Sequence, residues 1–192
     1  MRLHNRTILI LLFLSSINIF VTGQNISKEE RPPISERLFF GGSFGMQFGT
    51  ITYIDVSPVV GLWVLPRVAI AAGPSYTYYK YSDRSYKEET SIYGGRFYSQ
   101  YLLLQDLDNI FPVGLHMGIF LHLEDELLSY KSDYWRNPYS SGRFTVNNVL
   151  FGGGIRQQMG RRSFLNLTAL WTVHDSGYSM HSSPEIRISF SF

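Results

Sequence analysis

His122, Glu124 and Glu126 stand at i, i+2 and i+4. On a strand that spacing puts one imidazole and two carboxylates on one face. Such donors suit Zn²⁺ or a similar cation. Same-face neighbours lie about 6–7 Å apart, so the three converge on an ion only with help from a fourth group. The plainer reading is a polar rim where a strand leaves its sheet. In "VHDSGYSMHSS", His174 and Ser176 are spaced as a base and a hydroxyl, with Asp175, His181 and Ser182 nearby. Nucleophilic catalysis needs the base within reach of the hydroxyl and a third, orienting group, and many polar loops offer the same spacing. A third set is Asp55, Arg96, His116, His122, Glu124, Arg156, Glu185 and Arg187. All share the polar face of their segments, and buried charges must find partners. The expectation is therefore an ion-paired network rather than a catalytic or metal site, with no cofactor.

The elements that position these residues are strands. In "EIRISFSF", Ile186, Ile188, Phe190 and Phe192 point one way and Glu185, Arg187, Ser189 and Ser191 the other, a period of two. "LFFGGSFGMQFG" begins the same pattern at Leu38. It recurs over about Thr52–Val64, Val68–Lys80, Pro112–Glu124 and Phe164–His174, and more weakly over Ser91–Leu104 and Asn148–Gln158. Trp63 falls on the polar face by parity, and the Gly94-Gly95 pair reads as a bulge or tight bend. With the last segment the total is eight strands, and no later segment has a helical period. Long polar loops are expected near Tyr81–Thr90 and Asp125–Arg143, and a third at "DSGYSMHSS". Shorter links alternate with them.

Composition narrows the class. The chain has 192 residues, 44% hydrophobic and 16% aromatic, with no cysteine, which excludes disulfides, thiolate catalysis and cysteine metal sites. Arg2 and Arg6 precede an apolar run from about Ile8 to Val21, the pattern of a secretory signal peptide over residues 1–23. The alternative, an uncleaved helical anchor, needs a longer run. Residues 24–37 read as a flexible segment and 38–192 as the folded domain. Without the leader, fifteen basic residues face fifteen acidic ones, and nothing argues for nucleic acid.

Two kinds of barrel alternate in this way. A soluble, lipocalin-like barrel carries its apolar residues inside and many Lys and Glu outside. Here the second face is Gly, Ser, Ala, Thr and Tyr with a few charges, which suits the crowded interior of an eight-stranded barrel. The expected fold is an all-β, eight-stranded antiparallel up-and-down transmembrane β-barrel.

The apolar terminal strand ending in Phe192, with Phe190 two residues before it, resembles the C-terminal signature of Gram-negative outer-membrane proteins. The resemblance covers nearly all of the chain after the leader. It is nearest to the small OmpA/OmpX-type barrels and to the uncharacterised outer-membrane β-barrel domain proteins. It implies that Phe190 and Phe192 are read by the barrel-assembly machinery, that both termini are periplasmic, and that outer-membrane lipid and lipopolysaccharide surround the wall. Tyr76, Tyr78 and Trp171 then suit an outer aromatic belt. "DYWRNPY", with Tyr134, Trp135 and Tyr139, suits a surface ligand or the loop's own small core. The expected role is non-enzymatic, in envelope integrity or surface interaction through the loops after strands three, five and seven. The rival is a lipid A deacylase-like or acyltransferase-like enzyme using His174 and Ser176. A wide porin is disfavoured, since eight strands leave no broad channel, and a small-solute pore, a lesser alternative, would need measurable conductance.

Overall fold

A computed structural model describes residues 32–47, 51–82, 87–110, 114, 116–132, 142–174 and 184–192. The chain divides into two compact units, residues 1–36 and 37–192. The expected leader lies outside the described residues. Of the segment expected to be flexible, residues 32–37 are described, and they include a short helix, α1 (Ile34–Arg37), where the Glu36 N–H donates to the Pro33 carbonyl (3.0 Å).

The second unit is a closed antiparallel barrel of eight strands in chain order. They are β1 (Leu38–Gln47), β2 (Ile51–Leu65), β3 (Val68–Ser82), β4 (Lys87–Leu104), β5 (Met117–Lys131), β6 (Arg143–Gln158), β7 (Phe164–His174) and β8 (Glu185–Ser191). Each pairs with the next, and β1 closes against β8. Closure ties down the C-terminus: Phe192 and Phe40 exchange two backbone hydrogen bonds of 2.8 Å. Both chain ends of the barrel and the links after β2, β4 and β6 share one end, here the terminal end. The other is the loop end.

Several boundaries differ from those the sequence suggests. β5 starts at Met117 rather than Pro112 and runs on to Lys131, because alternation continues through Glu124 and Glu126, whose charges face inward. The expected loop from Asp125 to Arg143 is therefore cut from both sides, since β6 already begins at Arg143. The polar loop expected at Tyr81–Thr90 is cut from both sides, because Ser82 pairs with Lys87 and the ladder runs unbroken from there. Gly94 and Gly95 make no bulge and pair in register with Ser75 and Pro74. Irregularities fall instead at Trp63/Leu65, Leu102/Leu104 and Val149/Leu150.

Parity sorts the side chains. Inward ones pack in layers. Near the terminal end Phe39, Val59, Ala69 and Ala71 cluster with Trp63 and Tyr98. Gly61 is required there, since a Cβ would lie 2.1 Å from Phe39 Cζ. Near the loop end Ile92, Leu128, Tyr130 and Val146 cluster with Phe144. Charged groups fill the layer between. On the strands, every large apolar side chain that is exposed lies on the outward face, among them Phe44, Val60, Phe97, Leu123, Phe151, Leu167 and Ile188. This reverses the arrangement of a soluble barrel. Polar groups interrupt that face in places: Asn147 Nδ2 donates to Asp125 Oδ1 (2.6 Å), and nearer the loop end Tyr78 donates to Glu89 Oε2 (2.9 Å) and Arg143 Nε to Ser129 Oγ (3.0 Å).

Candidate functional site: the ionic layer of the bore

Five strands carry the titratable side chains of this layer inward. β2 supplies Asp55, β4 Arg96, β5 His122, Glu124 and Glu126, β6 Arg156, and β8 Glu185 and Arg187. Small neighbours on the same faces, Ser43, Ser57, Gly152 and Gly154, leave room for the long guanidinium stems. Arg187 reaches across the bore and donates from Nη1 to both carboxylate oxygens of Glu124 (2.7 Å each). Its Nη2 bonds Glu185 Oε1 (2.8 Å) and lies 3.3 Å from Glu126 Oε1. Arg96 completes the cluster. Its Nε is 2.8 Å from Glu126 Oε1, Nη1 donates to Ser43 Oγ (3.2 Å) and Nη2 is 3.6 Å from Asp55 Oδ2. Asp55 also accepts from Thr77 Oγ1 (2.8 Å). Two arginines thus serve four carboxylates. Charge-assisted contacts of this kind are the short, strong ones.

A second arm runs toward the terminal end. His122 Nε2 lies 2.8 Å from Glu124 Oε2, and its Nδ1 lies 3.1 Å from Gln100 Nε2. Arg156 Nη2 donates to Gln100 Oε1 (2.9 Å), and Arg156 Nε donates to Asn166 Oδ1 (2.9 Å). These bonds assign the histidine tautomer. An arginine only donates, so Gln100 must turn its oxygen to Arg156 and its amide N–H to His122. Nδ1 is then the acceptor, and Nε2–H donates to Glu124. Arg156 also sits over the rings of Trp63 (5.0 Å), Phe164 (5.1 Å) and Phe120 (5.7 Å), a cation–π arrangement that plugs the terminal end. Between plug and ionic layer is a void of about 20 Å³ bordered by Tyr98, Gln100 and His122. Beyond the ionic layer, toward the loop end, opens a cavity of about 610 Å³.

Most of the residues expected on the inner face meet in this network: Asp55, Arg96, His122, Glu124, Arg156, Glu185 and Arg187. His116 does not. Parity pointed it inward, but β5 begins one residue later, and His116 is exposed in the β4–β5 connection. There its Nδ1 is bonded to Asp106 Oδ2 (2.9 Å). That bond raises the His116 pKa above its ordinary value and lowers that of Asp106. Asp106 also accepts from the Asp108 N–H (3.0 Å), capping the turn Leu107–Asn109.

The metal candidates His122, Glu124 and Glu126 do share one face of β5, yet arginines occupy the space a cation would take. Among the described residues no cluster of three or more His, Asp or Glu side chains is arranged to hold a metal ion. His174 ends β7 with its side chain exposed at the loop end. Ser176, Tyr134, Trp135 and Tyr139 lie outside the described residues. Phe190 and Phe192 both point outward.

Gln100, Asn166, Ser43 and Thr77 belong to the network and went unremarked in the sequence. Their inward parity was readable, but their neutral side chains gave no signal of pairing. Glu126 was read as a rim residue and is fully buried. A scan against protein-family models and a search of the curated proteins each found no match for this chain.

Proposed function

We propose that this chain is an integral outer-membrane β-barrel protein whose role is structural or interactive rather than catalytic. The reading rests on one observation: the exposed large apolar side chains of the strands all face outward, while the buried charges face the bore. Apolar surface of that extent is out of place in water. A closed barrel is also one of the two architectures that satisfy every backbone group in hydrocarbon. Tyr76 and Tyr93, whose rings stand 5.4 Å apart, and Trp171 suit an interfacial belt near the loop end. With both termini periplasmic, the loops after β5 and β7 and the β3–β4 tip face outward from the cell. In this reading they carry envelope or surface interactions, and Phe190 and Phe192 serve the assembly machinery.

The test is cell fractionation of the full-length protein, followed by gene deletion. The proposal expects the protein in the outer-membrane fraction, released only by detergent. It expects deletion to change antibiotic permeability or surface binding while leaving the mass of lipid A unaltered. Recovery in a soluble fraction would overturn the membrane reading, and a lipid A mass change abolished by His174→Ala would overturn the non-catalytic one.

A further inference from the structure

Arg156 is held differently from the other arginines of the bore. It is buried, yet among the described residues no carboxylate pairs with it. Two neutral acceptors hold it, Gln100 Oε1 and Asn166 Oδ1 (2.9 Å each), together with the rings of Trp63, Phe164 and Phe120. A buried cation without a counter-charge is costly, so the loss of one acceptor matters. One of the two depends on a titratable group. The Gln100 amide stands between Arg156 and His122, and its oxygen faces the arginine because its nitrogen faces the bare Nδ1 of His122 (3.1 Å).

A proton on Nδ1 reverses that arrangement. The imidazolium donates from both nitrogens. The Nε2–H bond to Glu124 survives, but Nδ1–H now meets the amide N–H of Gln100. The amide relieves the conflict by turning over, which brings its oxygen to His122 and its nitrogen to Arg156. A guanidinium accepts nothing, so Arg156 loses this partner and gains a second cation one amide away. The surroundings of His122 oppose one another. Glu124 on its own strand favours the imidazolium, with Asp55, Glu126 and Glu185 behind it. Arg96, Arg156 and Arg187, from β4, β6 and β8, disfavour it, as does the orientation of Gln100. Tyr98, whose ring centroid is 4.7 Å from that of His122, is an uncharged phenol near neutral pH. β1 and β7 border the adjoining void with neutral side chains.

We propose that His122, Gln100 and Arg156 form a proton-operated latch on the plug at the terminal end. With His122 neutral, Gln100 holds Arg156 among the three rings. With His122 protonated, Gln100 turns, Arg156 leaves the rings for the water at that end, and the small void beside His122 becomes wet from there. The latch lies wholly in the bore and does not rest on what solvent meets the outer wall.

The experiment uses the full chain folded in detergent micelles, with Trp135 and Trp171 changed to Phe so that Trp63 reports alone. Two signals are followed from about pH 8 to about pH 5, where histidines change charge. One is the set of ¹⁵N shifts of His122, His116 and Arg156 Nε, and the other is acrylamide quenching of Trp63. His122 should take up a proton, the Arg156 resonance should move with the same midpoint, and quenching of Trp63 should rise several-fold with it. His116, exposed at the same end, has its own resonance, and Trp63 should follow His122 instead. Gln100→Met cuts the relay but leaves an imidazole at position 122. That ring should still titrate while Trp63 quenching stays flat with pH. His122→Gln should flatten it too. Circular dichroism checks that each variant is folded, and should neither fold, the coincidence of midpoints in the chain with native His122 and Gln100 decides. A His122 ring that keeps one protonation state throughout, midpoints that differ, or a Trp63 response that survives Gln100→Met would each overturn the latch.

Discussion

Arg187 on the last strand and Glu124 on the fifth, 63 positions apart in the chain, form a two-pronged ion pair across the bore with both contacts at 2.7 Å. The pair links opposite walls of the barrel, so it can form only when the sheet has closed.

Removing one member strands the other. Arg187→Met leaves Glu124, Glu126 and Glu185 with a single guanidinium nearby, and uncompensated buried charge costs about 3–5 kcal/mol. Urea unfolding in detergent should show a loss of that order. The double replacement Arg187→Met/Glu124→Leu should lose clearly less than the sum of the two single ones, because it removes both charges. Additive losses would mean the pair is not coupled.

The tautomer of His122 is set from a distance. Arg156 orients Gln100, and Gln100 then makes Nδ1 of His122 an acceptor. ¹⁵N chemical shifts of His122 should report a protonated Nε2 and a bare Nδ1. Replacing Arg156 with Leu frees the amide to turn and should mix the tautomers. An unchanged spectrum in that variant would break the chain of reasoning.

The pair His116–Asp106 gives a pH response at the terminal end. The hydrogen bond, aided by attraction between the charges, raises His116 above its ordinary 6.5 and lowers Asp106 below 3.8. The imidazolium's contribution is complete below 6.5 and fades as pH rises through the raised value. The carboxylate's contribution is complete above 3.8 and fades as pH falls through the lowered value. The pair is therefore at full strength between the ordinary values, 3.8 and 6.5. An NMR titration should place the His116 midpoint above 6.5, and Asp106→Asn should bring it back down. A midpoint unmoved by that substitution would contradict the pairing.

Gly61 accommodates the ring of Phe39. A Cβ at position 61 would lie 2.1 Å from Phe39 Cζ and 2.5 Å from both Cε atoms, so Gly61→Val must expel the ring from the terminal-end cluster. Overpacking of this kind costs about 1–3 kcal/mol. The companion Phe39→Ala/Gly61→Val should recover part of that loss in the same unfolding assay, and no recovery would place the strain elsewhere.

Strand number, chain-order pairing and inward parity were legible because a period of two survives any detail of packing. Strand ends were not. Glu126 and Lys87 looked like loop residues, and a charge on an inward face reads the same as a charge on a loop until its partner is known. Arg187 supplies that partner for Glu124 and Glu126, but it lies about sixty positions away, and spacing carries no trace of it. His116 failed for the opposite reason: its parity was inward, but the strand starts one residue too late to aim it.

The central claim is that the outward face meets hydrocarbon, and two tryptophans test it directly. Trp171 points outward and is half-exposed, whereas Trp63 points inward beneath Arg156. Single-tryptophan variants, with the other positions changed to Phe, are placed in vesicles whose acyl chains carry bromine. Fluorescence of Trp171 should be strongly quenched and that of Trp63 spared. A spared Trp171, or a chain that stays dissolved without detergent, would contradict the account.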